Sequence, residues 1–173
     1  MNLREGFAST HHANLGWNPD HERAIDKVAA SGLCDELGVL LWKAKYMSES
    51  DAYKKARRML INLHSERFSN EARGIVDAVV EQCLHEYISD MCSWCKGAKE
   101  VMAGDKRVVC DGCGGFGIRR YTDHERARSM KQSLGRVKVI QRQFRFLTEL
   151  IGTQDGKVNL QLTYLLERCC LLN

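Results

Sequence analysis

MCSWCKGAKEVMAGDKRVVCDGCGGFGI, residues 91–118, is the stretch on which the fold of this chain turns. It holds Cys92-Ser-Trp-Cys95 and Cys110-Asp-Gly-Cys113, a C-x2-C-x14-C-x2-C pattern within a residue of the four-cysteine zinc spacing. Two residues between paired cysteines let both thiolates reach one metal from a single tight turn. A second such turn then closes a tetrahedron with Zn–S distances of ~2.3 Å. Gly97 and Gly115 each follow a pair by two residues, where a left-handed backbone carries no Cβ penalty in glycine. The second loop, running on through Gly114, Gly115, Phe116 and Gly117, has too many glycines for ordinary helix or strand. One structural Zn2+ on Cys92, Cys95, Cys110 and Cys113 is the expectation. A redox C-x-x-C pair or four unrelated thiols would not require the doubled motif with its paired glycines.

The rest of the chain frames that module. With 173 residues and 44% hydrophobic content, it fits one compact domain, or one domain plus a zinc module. Eight cysteines without an N-terminal apolar h-region suggest a reducing, intracellular setting rather than a secreted disulfide scaffold. Cys34, Cys83, Cys169 and Cys170 fall within apolar helical patterns and read as small buried hydrophobes. No stretch approaches the ~18 apolar residues of a membrane span.

Helical periodicity dominates the remainder, so the predicted fold is mainly α: a helical body with an inserted four-cysteine zinc ribbon or knuckle module. Residues 1–17 lack periodicity and read as a flexible arm, and residues 18–90 as the helical body. Asn18-Pro19 opens a helix to about Ala30. Leu33, Leu37, Leu40, Leu41 and Ala44 mark a second, ending near Tyr46. Ser48 or Ser50 caps a third with Ala52, Ala56, Met59, Leu60 and Leu63 on one face, leaving Lys54, Lys55, Arg57 and Arg58 mostly solvated. Asn70 caps a fourth through Ile75, Val79, Cys83 and Ile88, which runs almost directly into Cys92 and joins the zinc module (residues 91–118) rigidly to the body. Within that module, Glu100-Val-Met and Arg107-Val-Val109 around Gly104-Asp105 read as a short hairpin. Residues 119–173 read as a basic helical region packing on the body. There, Thr122-Asp-His-Glu125 is a capping box opening a basic helix toward Ile151, as one helix or as two broken near Gly135. Residues 152–156 end that unit before a last helix through Val158, Leu162, Leu165 and Cys169.

Charge is concentrated in one place. Residues 119–145 hold nine basic against two acidic residues, +7, whereas the remainder holds seventeen against twenty, −3. A helix at 100° per residue gathers Arg128, Lys131, Lys138, Arg142 and Arg145 into an arc of roughly 100°. Met130, Leu134, Val137, Ile140, Phe144, Leu147 and Ile151 fall on another arc, centred roughly 140° away. A solvated helix face explains a charge run by itself; beside a zinc module, nucleic acid is the better reading. The candidates for DNA contact are Arg119, Arg120, Arg126, Arg128, Lys131, Lys138, Arg142 and Arg145. The aromatics of this segment, Tyr121, Phe144 and Phe146, are too few for a base-stacking platform. No catalytic constellation is expected: four thiolates close a zinc against water, and the glycines after Cys113 do not connect a strand to a helix as a phosphate-cradling loop must. His64, His85 and His124 have no partner at ligand spacing and read as surface or packing residues.

Two families share parts of this pattern. Residues 110–117 resemble the C-x-x-C-x-G-x-G repeat of DnaJ-type chaperones, and residues 92–97 resemble it in part. A longer resemblance is to the Q antitermination proteins of lambdoid phages. Residues 52–97 (AYKKARRMLINLHSERFSNEARGIVDAVVEQCLHEYISDMCSWCKG) look like their helix pair leading into a first knuckle, and residues 110–121 like their second. That resemblance implies a cytoplasmic factor in a bacterial host that binds double-stranded DNA at a late promoter. It implies loading onto RNA polymerase, with sigma factor as a further candidate contact, and readthrough of pauses and terminators. No membrane and no small-molecule substrate enter this reading. A zinc-stabilised DnaJ-like chaperone or adaptor that binds only proteins, and an RNA-binding zinc protein, are the alternatives.

Overall fold

Apolar residues at three- and four-residue steps build six helices around one core in the computed structural model, which describes residues 34–170. The helices are α1 (Glu36–Tyr46), α2 (Ser50–Arg67), α3 (Arg73–Ile88), α4 (Asp123–Ser129), α5 (Leu134–Val139) and α6 (Gln141–Cys170). Between α3 and α4 stands a two-stranded antiparallel hairpin, β1 (Glu100–Ala103) and β2 (Lys106–Val109), pairing Glu100 with Val109 and Ala103 with Lys106. Gly104-Asp105 forms its two-residue turn, as the sequence pattern predicts, with Gly104 at φ 63°. The arm and the helix expected over residues 18–30 lie outside the described residues.

The α1, α2, α3 and α6 helices form the body. Leu41, Leu60, Val79, Val80, Leu84 and Leu147 are its fully buried centre. A Cβ at Gly38 would stand 3.0 Å from Val158 Cγ2 and 3.2 Å from the Gln154 carbonyl oxygen, so glycine here permits the close approach of α1 to α6 that a side chain would push apart by a few tenths of an ångström. The contact continues through Val39 and Trp42 onto Val158 and Leu162. Helix α3 begins at Arg73 with Ala72 before it, not at an Asn70 cap. Glu71 is instead drawn into a polar chain. Gln143 and Arg136 both donate to its carboxylate, and buried His64 meets Gln143 Oε1 through Nε2 at 2.9 Å. His64 is thus a core residue held by a network.

The basic region departs most from expectation. One or two helices were expected over residues 123–151, and there are three. Thr122 and Glu125 make the predicted capping box. Helix α4 ends at Ser129, and Lys131 turns the chain at φ 53°. The Ser133 side chain then accepts from the Arg136 amide and caps α5, so Gly135 lies inside a helix and is not the break. A second interruption at Ile140 precedes α6. The breaks fold Ala127, Met130, Val137, Ile140 and Phe144 into the core. They also remove the single basic arc: Arg128, Lys131, Lys138, Arg142 and Arg145 do not lie on one helix. Gly152 and Gly156 do not end α6. Each costs a helix ~1 kcal/mol relative to alanine, but the residues around them, Ile151, Asp155 and Val158, are buried against the body, and the Tyr87 hydroxyl donates to Asp155 at 2.7 Å.

Candidate metal centre

The chain leaves α3 and enters the metal module through paired backbone. The Arg119 amide donates to the Asp90 carbonyl at 2.6 Å, the Cys92 amide to the Gly117 carbonyl at 3.0 Å, and Met91 bridges Ile118. Tyr121 Oη donates to the Ser89 carbonyl at 2.9 Å. Entry and exit are therefore laced together at the end of α3.

Inside, the two knuckles trace one backbone path eighteen residues apart. The Lys96 amide donates to the Cys92 carbonyl at 2.9 Å, and the Gly114 amide to the Cys110 carbonyl at 2.7 Å. Left-handed residues recur at the same offsets: Lys96 with Gly114, Gly97 with Gly115, and Lys99 with Gly117. Glycine is imposed most strictly at Gly117. A Cβ there would meet the Gly97 carbonyl oxygen at 2.8 Å and Lys99 Cγ at 3.3 Å, so only one knuckle can carry a side chain where the two loops touch.

This geometry brings Cys92, Cys95, Cys110 and Cys113 together, with every Sγ within 4.8 Å of the others and all four side chains buried. Sγ–Sγ separations are 3.8 Å for Cys92–Cys110 and 3.7 Å for Cys95–Cys113. A tetrahedron of thiolates on metal–sulfur bonds of ~2.3 Å has edges of roughly 3.8 Å, which these two separations match, so the donor set could hold a metal ion. Backbone amides face the sulfurs, as thiolates require. Hydrogen bonds from the Cys95 and then the Trp94 amide draw the Cys92 thiol down to about 7. At Cys113 burial opposes ionisation, but the Gly117 amide (3.2 Å from Sγ) and the neighbouring thiols outweigh it and lower its pKa. Burial, the largest cause, pushes the Cys110 thiol up to about 11. Cys34 and Cys83 are unbridged, Cys83 buried and Cys34 half-buried, while the side chains of Cys169 and Cys170 are outside the described set.

The eight cations expected to face DNA separate into two groups. Arg126 is turned inward: its Nε and NH2 nitrogens hold both Glu86 oxygens at 2.7 and 2.8 Å, and its guanidinium lies over Phe144. Arg119 pairs with Glu125 at 2.9 Å and covers Tyr121. The other six, Arg120, Arg128, Lys131, Lys138, Arg142 and Arg145, are exposed and make no ion pair among the described residues. Arg136, also basic, is committed to Glu71. Sequence reasoning overlooked the module's own surface. Trp94 and Phe116 are exposed, as are Lys96, Lys106 and Arg107. The signal was available: an aromatic inside a glycine-rich ligand loop has no hydrophobic core within reach.

Fold and site together define a mainly helical protein carrying a buried four-cysteine cluster that could hold a metal ion. No family model, curated protein or solved structure matches the chain. No helix among the described residues is long and apolar enough to cross a membrane.

Proposed function

We propose that this protein is a DNA-binding transcription antitermination factor of the Q type, with one structural zinc held by Cys92, Cys95, Cys110 and Cys113. The ion, when bound, cross-links the two knuckles and offers no open coordination position for chemistry. The observation that carries the DNA reading is the set of six exposed, ion-pair-free cations on the segment that leaves the cluster. Cations without an ion-pair partner are available to phosphates, whereas Arg126 and Arg119 are paired within the fold. Phosphate contacts would supply affinity and orientation, and arginines reaching base edges the register. The resemblance of residues 52–97 and 110–121 to Q proteins supplies the finer reading: a late promoter, RNA polymerase, and readthrough of terminators.

The test replaces Arg128, Lys131, Lys138 and Arg142 together by glutamine. If about five phosphates are contacted, log K falls with log salt at a slope near −4 to −5 in the wild type, and loss of four of those contacts in the quadruple variant flattens it by about 3.6. Metal content and helicity should be unchanged, since all four side chains are exposed. Readthrough by purified polymerase should be lost with DNA binding. An unaltered affinity and slope would sink the DNA reading, and a wild type that binds DNA without changing termination would sink the antitermination reading alone. A protein-binding adaptor of the DnaJ kind is the second reading, favoured by Met102 and Val109, which stand 64% and 59% exposed on the hairpin.

A further inference from the structure

Exposed apolar surface gathers on the metal module. Among the described residues, six of the nine large hydrophobics that stand in solvent belong to it: Trp94, Met102, Val108, Val109, Phe116 and Ile118. Two of these are aromatic rings carried on the ligand loops themselves, Trp94 between Cys92 and Cys95, and Phe116 three residues after Cys113. Trp94 is 70% exposed, yet it is not loose. A Cβ at Gly112 would fall 2.9 Å from its Cδ2 and 3.0 Å from its Cγ, so the ring lies close against the glycine of the second knuckle while most of its surface stays open. Phe116 is 60% exposed, and the Arg120 guanidinium lies 4.6 Å from its ring centroid. Cross-linking of the loops holds both rings in place before any ligand arrives, which lowers the ordering cost of binding.

Flat faces interleaved with cations suit one ligand class above others. Arg120 lies over the Phe116 ring, and Lys96, Lys106 and Arg107 are exposed elsewhere on the same module, alongside the exposed Glu100, Asp105 and Asp111. The module itself, residues 91–118, holds four basic against three acidic residues, +1, and the segment that leaves it, residues 119–145, nine against two, +7; a metal-loaded four-thiolate site would leave the module at −1 and the two together at +6, so the positive charge is supplied by the segment beside the rings. The exposed cations Arg128, Lys131, Lys138, Arg142 and Arg145 follow the module along the chain. A duplex keeps its base faces stacked inside, whereas unpaired nucleotides present them to aromatic side chains.

We propose that the metal module is a stacking platform for unpaired nucleotides, with Trp94 and Phe116 each receiving a base face and Arg120, Arg107 and Lys96 meeting the phosphates. The inference rests on the reading of the adjoining segment as a nucleic-acid interface, and extends it from the duplex to a single strand beside it. Melted DNA and RNA offer the same chemistry, so both are tested.

The experiment is fluorescence anisotropy of the full chain, zinc-loaded, with labelled oligo(dT), oligo(rU) and a duplex. Each is about twenty nucleotides or base pairs long, more than the ~4–16 nucleotides that a single-strand-binding domain covers. Wild type should bind at least one single strand. Trp94→Ala and Phe116→Ala should each weaken that binding by about five- to a hundredfold, leave its salt slope unchanged because stacking releases no counterions, and leave duplex binding intact. Trp94→Phe keeps a ring and should retain most of the affinity, at normal metal content; its failure to do so would overturn the proposal even if Trp94→Ala lost the metal. Which strand binds identifies DNA or RNA as the source. If both single strands fail while the duplex binds with its salt slope, this inference falls and the DNA reading stands; if the duplex fails too, both fall. Unchanged oligonucleotide affinity in Trp94→Ala, with weakened association to RNA polymerase, would make the face a protein surface and refute the platform.

Discussion

Arg126→Ala separates a structural arginine from a DNA contact. Arg126 ties α4 to α3 by a two-pronged pair to Glu86 at 2.7 and 2.8 Å, with side chains 22% and 15% exposed. Fully exposed pairs contribute 0–1 kcal/mol, while breaking a buried pair costs ~3–5 kcal/mol by stranding the remaining charge. These exposures put the pair between the limits, at about 2 kcal/mol. The guanidinium also lies 4.9 Å from the Phe144 ring centroid, which adds ~0.5–1 kcal/mol. A loss of about 2–3 kcal/mol should lower Tm by about 5–10 °C for a chain of this size. Thermal melts followed by circular dichroism read the loss, with duplex affinity measured on the same samples. Glu86→Gln should lower Tm as well, and the double variant should fall short of the sum because the two changes remove one interaction. A normal Tm combined with a salt slope shallower by about 1 would show that Arg126 meets a phosphate and that the ion pair is not what holds it.

Other consequences follow from the same structure. Cys95→Ser should take the protein from one zinc per chain to none by elemental analysis and unfold the hairpin, since three thiolates cannot close the site; full occupancy in that variant would refute the shared tetrahedron. Gly117→Ala should lose metal affinity far more than Gly114→Ala. Both positions have positive φ, but only at 117 does a Cβ meet backbone, 2.8 Å from the Gly97 carbonyl, and equal effects would leave that contact without consequence. Burial lowers the pKa of His64 despite its Gln143 hydrogen bond. The unfolded chain therefore binds this proton first, and stability should fall as pH drops below the unfolded histidine value of ~6.5. His64→Leu should be less stable at neutral pH but show a shallower decline between about pH 7 and 5 in urea titrations, and an unchanged decline would exonerate His64.

Much of this protein can be read along the chain because its strongest signals are local. Cysteine pairs two residues apart, glycines at fixed offsets from them, a turn between two short strands, and a threonine and glutamate at capping-box spacing all act within a few residues, so Cys92, Cys95, Cys110, Cys113, Gly104 and Glu125 were legible as they stand. Periodicity likewise marked the buried faces of α1, α2 and α3. Tertiary structure decided the rest, where one local preference had to yield to a distant contact. Gly152 and Gly156 read as a helix end, yet packing of α6 on α1 across Gly38 carries the helix through them. Asn70 offered a helix cap, but Glu71 is held by Arg136 and Gln143, far along the chain, and the helix begins three residues later. A count of arginines could not distinguish Arg126 from Arg128: one finds Glu86 across a helix interface and the other faces water. Charge is a property of the residue, but whether that charge is available to a ligand depends on which partner the fold brings within three ångströms of it.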